Sequence, residues 1–102
     1  MFGLKQNDIT LINHCFSQFS EIEQVIIYGS RAKGNFKNGS DIDLTIIGDL
    51  DYKAMLKLEN LLDDLLLPYK IDLSLHRQIS NSDLLNHIQR VGKVFYRKVM
   101  TV

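Results

Sequence analysis

Two short motifs with chemically capable residues lie close together in the chain. Gly29 and Ser30 follow one apolar stretch, and Asp41 and Asp43 open the next one. A glycine–serine turn offers backbone N–H groups to a phosphate, and side chains alternate across a strand, so both carboxylates of a D-x-D sequence point to the same side. A paired carboxylate beside such a turn is typical of magnesium-dependent enzymes that handle nucleoside triphosphates.

A third acidic residue, Asp72, interrupts a later apolar stretch in which Ile71 and Leu73 face the other way. If this strand pairs next to the one that carries Asp41 and Asp43, three carboxylates meet. Three carboxylates on neighbouring strands can hold two metal ions, and Asp72 is the candidate for positioning or deprotonating an attacking hydroxyl. Taken alone, Asp41 would more often be a turn or surface residue. Aspartate is depleted inside strands, however, and this favours a functional role for Asp43.

The elements that must position these residues alternate between helices and strands. Asp8 is expected to cap the first helix, and Asn81 or Ser82 the last. Gly34 and Pro68 are expected to end helical segments. Apolar spacing predicts helices over 8–20, 30–33, 52–67 and 82–91, strands over 24–28, 41–47 and 70–75, and a tail over 94–100 that is either a helix extension or an edge strand. This α-β-α-β-α-β-α order predicts an α/β (α+β) fold with helices packed on a small mixed sheet.

Further side chains near the glycine–serine turn could assist it. Arg31 and Lys33 could add positive charge for a phosphate, although the segment lacks the Walker pattern and a glycine–serine pair alone is often an ordinary turn. His14 and His87 lie in helical patterns without partner spacing, and both are expected to be solvated.

Composition narrows the class of protein. The chain has 102 residues, which fits a single domain over 1–102, and its twelve basic and twelve acidic residues balance to a formal charge of zero. That balance argues against a general nucleic-acid binder. The single cysteine, Cys15, cannot form an internal disulfide and is expected to be buried. No apolar run approaches the roughly 20 residues that cross a bilayer, so we expect a cytoplasmic protein with no membrane partner.

The segment from Gly29 to Gly34, followed by Ser40 to Leu44, resembles the signature of the DNA polymerase β-like nucleotidyltransferase superfamily. The small size resembles its minimal nucleotidyltransferases (MNT), the antitoxin-type branch. The resemblance implies that Asp41, Asp43 and Asp72 bind two magnesium ions and act in catalysis. It further implies that the nucleotide is ATP and that it is bound through Gly29, Ser30, Arg31 and Ser40.

The resemblance also implies a reaction and a partner. AMP would pass from ATP to a hydroxyl, and the acceptor would be a tyrosine of a HEPN-family toxin that the protein neutralises. Two alternatives stay open: an antitoxin that acts by complex formation without catalysis, and a transferase for a small molecule of the aminoglycoside type. The chain lacks the additional helical domain of larger relatives, so the acceptor surface must come from the partner or from a second copy of the chain.

Overall fold

A computed structural model describes residues 1–99, which form a mixed sheet with helices on both faces. The elements in chain order are α1 (Gln6–Ser17), β1 (Ile22–Tyr28), α2 (Gly29–Lys33), β2 (Ile42–Gly48), α3 (Tyr52–Asp63), β3 (Ile71–Leu75), α4 (Ser82–Val91) and β4 (Lys93–Arg97), with a 3₁₀ turn over His76–Gln78. The predicted order is confirmed, and the tail supplies a fourth strand.

The four strands lie in the order β3-β2-β1-β4. β1 pairs antiparallel with β2 and with β4, whereas β2 and β3 run parallel, with α3 in the long connection between them. The mixed sheet expected from the sequence is therefore confirmed. Its parallel pair places residues of β2 directly beside residues of β3 that are almost thirty positions later in the chain.

The core lies on one face of the sheet, beneath α1 and α3. Val25 and Ile27 of β1 and Leu44 and Ile46 of β2 share this face, and all four are fully buried. They pack with Ile12, Phe16, Leu58 and Leu62 of the two helices. Cys15 is buried in the same cluster as a free thiol, as predicted, and burial raises its pKa.

The opposite face carries the polar positions of β1, β2 and β3. Alternation along β1 turns Ile26 and Tyr28 to this side, where α4 lies across them. Gly92, just after α4, packs against Ile26 so closely that a Cβ would meet its Cγ2 at 2.7 Å. The face that carries the acidic motif is thus partly covered by α4.

None of the helices in residues 1–99 is long and apolar enough to cross a membrane.

Several predicted boundaries were wrong. Asp8 lies inside α1, whose N-cap residue is Lys5 and which ends at Ser17. Asp41 precedes β2, which begins at Ile42. α3 ends at Asp63, before Pro68, because the chain turns through Leu66 at a left-handed φ of 53°. At the tail, Phe95 joins the core and Val94 is exposed, while Met100 lies outside the described residues.

Candidate active site

The acidic residues lie on two neighbouring strands. Asp43 of β2 is paired directly with Asp72 of β3 in the parallel register, which confirms that the third predicted strand lies beside the second. Asp41 precedes β2 and is exposed, as is Asp72, whereas Asp43 is partly buried. Burial raises the pKa of the Asp43 carboxyl, and the charges of Asp72 and Asp41 raise it further. Asp72 and Asp41 therefore both lie near enough to Asp43 to disfavour its charged form.

The glycine–serine turn lies against this acidic group. β1 ends at Tyr28, and Gly29 begins the short helix α2 with a left-handed φ of 74°. A Cβ at position 29 would collide with Oδ2 of Asp43. Glycine thus meets two requirements here, because it adopts the positive φ without strain and leaves room for the carboxylate. Ser30 follows it in α2 and is partly buried.

Tyr28 forms part of the same site, although its position in an apolar run suggested only a core residue. It pairs with Asp43 across β1 and β2, and its side chain is buried. Burial raises the pKa of the Tyr28 phenol, and the charges of Asp43 and Asp72 reinforce that rise. The phenol therefore faces the acidic group as a neutral neighbour.

His87 of α4 reaches the glycine–serine turn, so the expectation of a solvated side chain was wrong. Its Nε2 accepts a hydrogen bond of 3.1 Å from the backbone N–H of Gly29. Its ring meets the Tyr28 ring edge to face, with 6.1 Å between centroids and an interplanar angle of 80°. The sequence offered no sign of this contact, because the two residues are 58 positions apart.

The structure revises the assignment of Arg31 to the nucleotide. Its side chain is only 3% exposed, although a phosphate ligand would need an accessible guanidinium. Nε and Nη2 donate to the carbonyl of Ser40 at 3.0 and 2.9 Å, and Nη1 donates to the carbonyl of Phe2. The guanidinium also lies near the rings of Phe36 and Tyr69. Arg31 therefore holds the loop between α2 and β2 in place.

Ser40 takes part in the same loop. Its hydroxyl accepts a hydrogen bond from the backbone N–H of Lys37, and its own N–H donates to the Lys37 carbonyl. These bonds close the turn that contains Gly39 and leads into Asp41. Ser40 thus sets the entry of the chain into the acidic motif.

The donor set suits a hard divalent cation only in part. Carboxylate oxygens are ligands that magnesium prefers. Within residues 1–99, however, no three His, Cys, Asp or Glu side chains are arranged so that they could hold a metal ion. Magnesium commonly binds through one or two carboxylates together with substrate phosphates, and these residues fit that mode.

Comparison with known proteins decides the family. The family model described as "Polymerase beta, Nucleotidyltransferase" matches residues 10–100. The chain belongs to this nucleotidyltransferase family. A Haemophilus influenzae protein described as "Probable protein adenylyltransferase MntA" is 31% identical to this nucleotidyltransferase in an alignment of 101 positions that covers 97% of this chain and 88% of the relative.

Solved structures agree with the nucleotidyltransferase fold. A chain from a toxin–antitoxin crystal structure with AMP-PNP superimposes with a TM-score of 0.68 at 23% identity, over 93% of this chain and 75% of that one. A chain from the complex of a tri-AMPylated Shewanella oneidensis HEPN toxin with its MNT antitoxin gives 0.65 at 19% identity, over 93% and 74%. At these identities the likeness establishes the fold alone.

Proposed function

We propose that this nucleotidyltransferase transfers AMP from ATP to a hydroxyl of a protein partner, and that the partner is a HEPN-type toxin. The observation that carries the proposal is the register of the parallel strands, which places Asp43 beside Asp72 while Gly29 touches Asp43. The relative described as a protein adenylyltransferase supports the choice of reaction. The AMPylated HEPN toxin bound to an MNT antitoxin supports the choice of partner.

In the proposed reaction, the acceptor oxygen forms a bond to the α-phosphorus of ATP, and the bond from that phosphorus to pyrophosphate breaks. Asp41, Asp43 and Asp72 would hold magnesium together with the phosphates of ATP, each ion taking one or two of these carboxylates. Magnesium bound there would offset the charge of the triphosphate and make the hydroxyl more acidic. Gly29 keeps the turn in contact with Asp43. Ser30 donates to a phosphate bound beside that carboxylate. Asp72, being exposed, orients the acceptor hydroxyl and takes its proton.

The accessible side of Asp72 favours a large acceptor. A cavity of about 560 Å³ runs along β3 and is bounded by Asp72, Leu66, Tyr69 and Lys70. β3 is an outer strand of the sheet, so a partner can approach from its free edge. Transfer to a small molecule of the aminoglycoside type would need further walls around that molecule, and no observation favours it.

A cytoplasmic location stays a prediction.

The test is label transfer to a HEPN protein encoded beside this chain. The two purified proteins are incubated with magnesium and ATP labelled at the α-phosphorus, and the partner is analysed by gel and mass spectrometry. We expect one or more AMP groups on tyrosine, and at least about a 100-fold slower transfer by Asp43→Asn. Glu23→Gln, an isosteric change at an exposed position of β1, serves as the control and should transfer at the wild-type rate.

Two results would contradict the proposal. Transfer that persists in Asp43→Asn would remove the catalytic assignment. Full neutralisation of the toxin by an Asp41→Asn/Asp43→Asn double variant, with no AMP on the toxin, would instead favour an antitoxin that acts by complex formation.

A further inference from the structure

One polar contact joins α4 to the glycine–serine turn. A backbone N–H can only donate, so Nε2 of His87, at 3.1 Å from the Gly29 nitrogen, must be the acceptor. The imidazole in this contact is therefore neutral and carries its proton on Nδ1. Gly29 lies just past the last paired residue of β1, where its N–H has no place in the β1–β2 ladder. His87 therefore accepts a hydrogen bond from the Gly29 N–H, which strand pairing leaves without a partner.

The position of Gly29 matters because it is in contact with Asp43. A Cβ at Gly29 would collide with Oδ2 of Asp43, so the turn and the carboxylate are packed against each other without spare room. A small displacement of the turn therefore changes the space in which a phosphate beside Asp43 must fit. The edge-to-face contact of His87 with Tyr28 restrains the residue immediately before the turn as well.

α4 is a firm support for this contact. The side chain of Asn81 caps its first turn by accepting from the N–H of Leu84 at 3.0 Å. Ile88, next to His87, is buried, and Gly92 at the end of the helix is packed tightly against Ile26. Both ends of α4 are thus fixed, and the helix sets the place of the His87 ring relative to the sheet.

We propose that His87 is a positioning residue of the nucleotide site: its neutral imidazole holds the glycine–serine turn at a set distance from Asp43. The nucleotide part of this statement rests on the proposed function. The contacts of His87 at this site are with Gly29 and Tyr28. His87 acts through Gly29, so its loss should weaken nucleotide binding while the fold stays intact.

Two amide variants separate this role from general packing. In His87→Gln the side-chain oxygen lies at about the reach of Nε2, so it can accept from Gly29. In His87→Asn the oxygen lies near the position of Nδ1 and falls short. Losing one such hydrogen bond corresponds to a change of about fivefold to tenfold in affinity. We expect His87→Ala and His87→Asn to bind magnesium AMP-PNP about fivefold to tenfold more weakly by calorimetry, and His87→Gln to bind within about twofold of wild type.

Ring ¹⁵N spectra of the wild-type protein provide a readout that does not depend on nucleotide. At about pH 8 they should show His87 as the Nδ1–H tautomer, and the Gly29 amide resonance should move in His87→Asn but far less in His87→Gln. An Nε2–H tautomer would overturn the proposal, as would equal nucleotide affinity in all three variants or a rescue by Asn and not by Gln. A wild-type protein that binds no magnesium nucleotide would overturn the proposed function. The tautomer and the amide shift would still test whether His87 holds the Gly29 turn in place.

Discussion

At the scale of single residues, Asp43 lies in an environment that suits its neutral form. Burial raises the pKa of its carboxyl, and the charges of Asp72 and Asp41 add to the rise. The folded chain therefore holds this proton more tightly than the unfolded chain. Asp43 consequently contributes most stability at low pH, and that contribution is lost as pH rises through the raised pKa.

We expect Asp43→Asn to stabilise the metal-free protein at pH 7. Asparagine removes a charge that lies directly opposite Asp72, and a pair of like charges across strands costs about 0.2–1 kcal/mol. The gain should shrink as the pH falls toward the ordinary carboxyl value of about 4, because Asp43 of the wild type is then protonated as well. Urea unfolding in EDTA at both pH values measures the difference. Glu23→Gln should show no such gain. If Asp43→Asn were less stable than wild type at pH 7, the charge of Asp43 would not be destabilising.

Gly29 is the second residue whose type is restricted by its surroundings, through its contact with Asp43 and its positive φ. In Gly29→Ala the methyl group meets Asp43 and the backbone keeps a φ of 74°, so we expect a loss of about 1–2 kcal/mol or more and much weaker magnesium nucleotide binding. Gly39→Ala is the matched control, because its φ is 83° and a Cβ there would have no atom within 4 Å. It should lose similar backbone stability and keep its nucleotide affinity. Equal binding losses in the two variants would remove the special role of Gly29.

At the scale of elements, the loop between α2 and β2 depends on one buried side chain. Arg31 donates twice to the Ser40 carbonyl and once to that of Phe2, which joins the N-terminal segment to the entry of β2. Arg31→Lys keeps the charge but cannot reproduce this fork, so we expect a loss of about 2 kcal/mol in urea unfolding. Lys33→Ala, at an exposed position of the same helix, should change stability little. If Arg31→Lys kept normal stability but lost nucleotide binding, Arg31 would instead be a ligand of a nucleotide phosphate, as the sequence predicted.

The end of α3 contains a backbone conformation that is costly for its residue. Leu66 has a φ of 53° and is 88% exposed, so its side chain contributes little packing in return. Leu66→Gly removes strain of about 1 kcal/mol and loses part of that gain to the greater freedom of the unfolded chain. We expect a net stabilisation of about 0.5 kcal/mol in urea unfolding. Leu66→Ala, which shortens the side chain but keeps the strain, should not be stabilised.

The sequence predicted those parts of the structure that local pattern determines. Alternation around Leu44 and Leu73 located the strands, and Asn81 located the start of α4. It misplaced the end of α3, because Leu66 adopts a conformation that leucine rarely does. Arg31 and His87 were assigned wrongly, because Phe2 and Gly29, which they contact, lie 29 and 58 positions away and only the folded packing brings them together.

At the scale of the whole molecule, the site combines residues from five separate elements. β1 supplies Tyr28, α2 begins with Gly29, and β2 and β3 contribute Asp43 and Asp72. α4 adds His87 from above the sheet. A ligand that contacts several of these elements at once is bound only by the folded state. Its binding energy must therefore appear as added stability of the entire domain.

Thermal unfolding should accordingly report magnesium nucleotide binding. At a ligand concentration of about 100 times Kd, binding stabilises the folded state by about 2.7 kcal/mol. For a chain of 102 residues, each kcal/mol moves Tm by about 4–8 °C, so we expect a rise of about 10–20 °C with magnesium AMP-PNP. In EDTA the rise should nearly vanish, because the triphosphate then meets three carboxylates without a cation between them. The Asp41→Asn/Asp43→Asn double variant should show little rise in magnesium. An equal rise with and without magnesium would mean that this acidic group does not bind the nucleotide through a metal.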